Sequence, residues 1–365
     1  MSPMKRTLST LFLAITAGFA NAAPAPAKPP VTPKASPAKP RAGKAAPAPV
    51  LPASPQPAKA SAPVLAVAFR RDGKIVAAAN GTTVRLWDGA TGALIRELPG
   101  HPEAVHSLAF RADGALLAAG GLRVVKLWDP ETGKELRSLA GHADRVAALQ
   151  FSPDGKTLAA GGGAPTRGGE VKLWDVATGR LKATLGEHSD TVYGLAFSPD
   201  GSQLLTGAAD RNVRLWDLAT GKVLKTFTGH THLVFAVAYS PDGKLVASAG
   251  GDTTVKLWDP ATGEQVRTIN AHPAQVWSLA FSPDGKWLAS AGQDRTVKLW
   301  DPASGNGVRT VEGIPQPVAS LSFSGDNSLL AVGAWDGITR IFKTADGQPV
   351  KAMPAPEALP AAAAR

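Results

Sequence analysis

Cysteine is absent from the 365-residue chain. Its absence removes disulfides, thiolate catalysis and zinc–cysteine centres, and with them the lipidated cysteine of a bacterial lipoprotein. Acidic residues are missing from the first 62 positions, which hold Lys5, Arg6, Lys28, Lys34, Lys39, Arg41, Lys44 and Lys59. Those cations carry most of the formal net charge of +10 and leave 31 basic against 29 acidic residues in the rest of the chain. So neutral a remainder excludes an extended duplex-binding surface, and no nucleic-acid partner is expected. Three chemical signatures are missing as well: a Gly-rich phosphate loop between strand and helix, an HExxH pair and a calcium loop of the right spacing. No cofactor, no metal site and no catalytic residue is therefore expected. The apolar run from Leu8 to Ala20 is too short for the roughly 20 residues a membrane-spanning helix needs.

What the first residues do hold is the three-part pattern of a cleaved secretory signal. Lys5 and Arg6 precede the apolar run, and the small-residue site Ala20-Asn21-Ala22 follows it. Residues 1–22 are expected to be removed. Residues 23–62 are Pro-, Ala- and Lys-rich, with twelve prolines from Pro24 to Pro57. They offer too little apolar surface to offset the entropy of ordering, so a disordered, extended spacer is expected. Any contact with membrane or cell wall would run through this basic segment. Residues 354–365 return to Ala and Pro and are expected to be a frayed tail.

Between these ends the chain repeats itself. The stretch HPAQVWSLAFSPDGKWLASAGQDRTVKLWD, from His272 to Asp301, has counterparts ending at Asp88, Asp129, Asp175, Asp217 and Asp259, and a degenerate one at Lys343. Spacings of 41 to 46 residues with an early Gly-His (Gly100-His101, Gly141-His142, Gly229-His230) and a late Trp-Asp mark four-stranded propeller blades. Each copy reads as four short strands: an apolar stretch such as Val276 to Phe281, a Ser-Pro-Asp-Gly turn, then Trp287 to Ala291, Thr296 to Trp300 and an outer strand. Copy three carries about four extra residues around Ala164-Pro165-Thr166-Arg167. On these residues the chain resembles the WD-repeat β-propeller family, in an exported, bacterial-type form. The resemblance covers residues 63–353 and implies an all-β fold of seven four-stranded antiparallel blades. Because each blade is continuous in sequence, the ring is expected to close mainly by side-chain packing of blade seven on blade one.

Histidine, hydroxyl and carboxylate recur at fixed spacing as His188, Thr206, Asp210, as His230, Ser248, Asp252 and as His272, Ser290, Asp294. A tryptophan follows each set: Trp216, Trp258 and Trp300. One chain has no use for three catalytic triads, and the resemblance implies instead a structural hydrogen-bond network inside each blade. Copies one, two, three and seven lack the full set, with Ala78, Ala119, Ala160 and Val332 at the hydroxyl position. Asn80, in copy one, is expected to be dispensable.

One further position recurs, the residue after the Val that opens each first strand: Leu65, His106, Ala147, Tyr193, Phe235, Trp277 and Ala319. The resemblance places it on the face around the central channel, so Tyr193, Phe235 and Trp277, extended by Trp335, would form an aromatic arc. Such rings suit a partner-binding site. Glu103, Asp144 and Asp190 in the histidine loops would favour a cationic group stacked on the arc, whereas Arg211 and Arg295 nearby would favour an acidic one. The function expected is a non-catalytic exported scaffold holding a protein or peptide on this face. An enzyme or enzyme-accessory propeller, and an envelope component held through residues 23–62, are the alternatives.

Overall fold

In the computed structural model the described residues run from Ala62 to Pro354. The expected signal peptide, all but the last residue of the expected spacer, and all but the first residue of the expected tail lie outside them. Strands and turns make up the described residues, and no α-helix is present among them. Five sheets have four strands each, and a sixth has seven. The larger sheet is two blades sharing one strand, Glu135–Phe151, which is the outer strand of blade two and the inner strand of blade three. Seven four-stranded antiparallel blades result, as the period implies.

The strand chemistry follows position within the blade. Inner strands such as Val234–Tyr239 contact the inner strands of the neighbouring blades, so they line the ring axis. Second strands are buried on both faces and accordingly small: Val246–Gly250 reads VASAG and Leu288–Gly292 reads LASAG. The closeness of the next blade enforces this. A Cβ on Gly207 would stand 2.7 Å from a methyl of Val237, and one on Gly333 would stand 2.6 Å from Val64. Outer strands such as Lys222–Phe227 alternate exposed and covered residues, as a sheet edge facing water should. The Ser-Pro-Asp-Gly turns are locked by their own side chains. Ser198 Oγ donates to Asp200 (2.6 Å) and accepts the Gln203 amide (2.9 Å), while Gly201 takes φ +72°.

Blade seven meets blade one with no strand exchanged: its outer strand, Pro349–Pro354, pairs with its own third strand, Ile338–Lys343. More than packing joins the two. The amides of Val67 and Phe69 donate to the hydroxyls of Ser320 (3.1 Å) and Ser322 (3.0 Å). Asn80, expected to be dispensable, is buried and donates across the same seam to the Gly337 carbonyl (3.2 Å). Hydrogen bonds thus supplement the side-chain packing expected to close the ring. The serines and Asn80 look in sequence like ordinary strand residues, because their partners lie some 250 positions away.

Candidate functional site

Three blades hold the full hydrogen-bond network. In blade five, His230 meets Asp252 through Nδ1 (2.8 Å) and Ser248 through Nε2 (2.7 Å), and the Trp258 indole N–H donates to the same Ser248 oxygen (2.9 Å). Blade six repeats this with His272, Asp294 (2.8 Å), Ser290 (2.7 Å) and Trp300 (2.8 Å). Blade four does so with His188, Asp210 (2.9 Å), Thr206 (2.7 Å) and Trp216 (2.9 Å), and adds Arg214 against Asp210 (2.8 Å). In blades five and six one proton pattern satisfies every member: imidazole Nδ1–H to carboxylate, hydroxyl to Nε2, indole to hydroxyl. Burial acts to raise the Asp252 carboxyl, but its bonds to His230, the Thr231 amide and Thr254 outweigh that and hold it well below the usual carboxylate range. The hydroxyls are fully buried, so they lie beyond the reach of a substrate.

Where the hydroxyl is missing, its partners are stranded. With alanine at positions 78, 119 and 160, the indole nitrogens of Trp87, Trp128 and Trp174 are buried without a partner, as are both ring nitrogens of His101 and Nε2 of His142. Blade three repairs half of its network with a residue the sequence pattern did not single out. Glu170, on the third strand, reaches His142 Nδ1 (3.2 Å) and accepts the Ala143 amide (2.8 Å), while Lys172 pairs with it at 2.9 Å. The clue available in sequence was an acid beside the four-residue insertion, which displaces the turn where other copies keep their aspartate.

The channel face is built by a distortion. In blades one and three to seven the inner–second strand register slips between the opening Val and the residue two further on, as at Val192/Gly194, Val234/Ala236 and Val276/Ser278. The residue between is left out of the ladder, and a bulge re-aims its side chain. All six such residues, and His106 at the same place in blade two, are half-buried. The Tyr193 and Phe235 rings lie 5.5 Å apart at 56°, and Trp277 stacks on Trp335 at 5.2 Å and 22°. The arc thus consists of two ring pairs spanning blades four and five and blades six and seven.

The acidic residues of the histidine loops have separate tasks. Asp190 accepts the amides of Thr191 (2.6 Å) and Thr166 (3.2 Å), and Asp144 accepts that of Arg145 (2.7 Å). Glu103 is exposed and has no side-chain bond among the described residues. His106 is pushed down to about 4, by burial first and by the charge of Arg145 second, with Asp144 opposing. It is therefore a neutral imidazole at physiological pH. Burial raises the Tyr193 phenol, against the same Arg145. The charge of Arg145 thus reaches both His106 and Tyr193, and Arg145 lies two residues before Ala147, blade three's residue at the bulged position. Sequence reasoning passed over Arg145. Among the described residues no group of three or more His, Asp or Glu is placed to hold a metal ion.

The comparisons with known proteins agree with this geometry. Residues 56–88, 92–129 and 133–175 match the WD domain, G-beta repeat, and residues 191–359 match the model described as IFT122 first beta-propeller. The chain belongs to the WD-repeat β-propeller family. No curated protein matches it.

Proposed function

We propose that the propeller is a non-catalytic scaffold that binds a protein or peptide on its channel face. The observation that carries this is the aromatic arc. Tyr193, Phe235, Trp277 and Trp335 are half-buried on one rim, and Ala147 and Ala319 occupy the same bulged position in blades three and seven. The fold therefore does not require a ring there. Large aromatics left partly open are what binding hot spots are made of. The family it belongs to is commonly one of protein-interaction scaffolds, which supports the reading. Phe235→Ala and Trp277→Ala together should abolish capture of the partner while leaving the melting temperature within a few degrees. Retained capture, or collapse of the fold, would make the arc packing.

The scaffold acts outside the cytoplasm in this reading, delivered by residues 1–22 and spaced by residues 23–62. An intact mass beginning at Ala23 for protein recovered outside the cytoplasm is expected. A mass that retains Met1 would refute export by this signal.

A further inference from the structure

Arg145 is only 8% exposed, yet its guanidinium makes no hydrogen bond or ion pair among the described residues. None of its side-chain nitrogens is both buried and unpartnered, so the head of this otherwise covered side chain stays open to solvent while its stem is packed. The fold does not ask for a cation here. The other residues just before the opening Val are Pro63, Ala104, Thr191, Leu233, Gln275 and Pro317, none of them charged. What that position supplies to the fold is its backbone: the carbonyls of Thr191, Leu233 and Gln275 accept turn amides at 2.8 to 2.9 Å. The Arg145 side chain is thus superfluous to the blade, and its charge reaches Tyr193 of the Tyr193–Phe235 pair.

We infer that Arg145 is the anchor for a carboxylate, carried by an acidic side chain of the peptide that lies on the aromatic arc. This rests on the channel face being the binding surface and adds the chemistry of what it takes. A guanidinium matches a carboxylate in shape and charge. The neighbourhood favours a single negative charge over a doubly charged phosphate. His106 adds no positive charge, and the Asp144 and Asp190 carboxylates already stand nearby, tied to backbone amides. The rings of Tyr193 and Phe235 then cover the apolar part of the same segment.

The test is selection of displayed random octapeptides on the mature protein, followed by affinity measurement of the enriched sequences. Enriched peptides should share an Asp or Glu next to an apolar or aromatic residue. Changing that acid to its amide, or Arg145→Gln in the protein, should weaken binding about tenfold or more. Removing a cation that no side chain of the fold pairs should also leave the melting temperature within about 2 °C of the parent. A fall of several degrees would assign Arg145 to the fold and overturn the inference. Enriched peptides that are basic, or that bind Arg145→Gln undiminished while losing affinity for Phe235→Ala and Trp277→Ala, overturn the anchor but keep the arc. Peptides indifferent to all three changes, or no enrichment at all, overturn both.

Discussion

At the scale of the residue, the hydroxyl at the centre of each network decides how well a blade is satisfied. One oxygen serves both His230 Nε2 and the Trp258 indole in blade five. In blade three its counterpart is Ala160, and His142 Nε2 and Trp174 Nε1 are left without partners. An unsatisfied buried polar group costs about 1–3 kcal/mol. Ala160→Ser should therefore stabilise the protein by about 1 kcal/mol, read as a higher denaturation midpoint. The same change at Ala78 should do less, because copy one has no histidine to pair. A destabilised Ala160→Ser protein would mean that the second strand has no room for the oxygen. These networks were legible in sequence because histidine, hydroxyl, acid and tryptophan recur at constant spacing. Glu170 and Arg145 were not, since each occurs in one copy only and a repeat pattern hides what departs from it.

At the scale of the element, four outer-strand arginines join blades one, two, five and six to the blade that follows. Arg137 donates to the carbonyls of Thr178 (2.7 Å) and Ala177 (3.0 Å) in the following blade's turn, and Arg96, Arg267 and Arg309 reach the carbonyls of Glu131, Ala303 and Thr344. The turn glycines make room for them: a Cβ on Gly179 would stand 2.4 Å from Arg137, and one on Gly305 2.3 Å from Arg267. Blade three has Ala183 at this position and blades four and seven have Lys225 and Lys351, so those three seams go without the arginine clasp. Arg137→Met should lower stability by about 1 kcal/mol, because two bonds from a charged donor are lost at a partly screened site. A thermal midpoint equal to that of the parent would show that the clasp is ornamental. Strand order and turns could be read from period-2 patterning and Ser-Pro-Asp-Gly. The sharing of Glu135–Phe151 by two blades could not, because a continuous ladder across a loop leaves no local mark.

At the scale of the whole molecule, buried histidines set the acid limit. Burial first, with Lys126 adding to it, holds His101 at about 4, and burial does the same to His106 and His142, against 6.5 for a free imidazole. The unfolded chain takes up these protons first, so their contribution is complete above about pH 6.5 and is lost as pH falls towards 4. The lowered aspartates Asp210, Asp252 and Asp294 extend the loss into the carboxylate range. The urea midpoint should be lower at pH 5 than at pH 7.5, and His101→Gln should narrow the gap. Equal midpoints would contradict this account of burial.

Bulged inner strands leave Tyr193, Phe235 and Trp277 half-buried, and the central claim is that a partner occupies the face they are proposed to form. Site-specific photo-cross-linking tests that most directly. A benzophenone side chain is placed either at position 235, in the arc, or at position 266, on the outer strand of blade five, where Val266 is exposed. The account predicts a discrete cross-linked protein from position 235 and none from position 266. Cross-linking from position 266 alone would put the partner on the outer edge of blade five and contradict the claim.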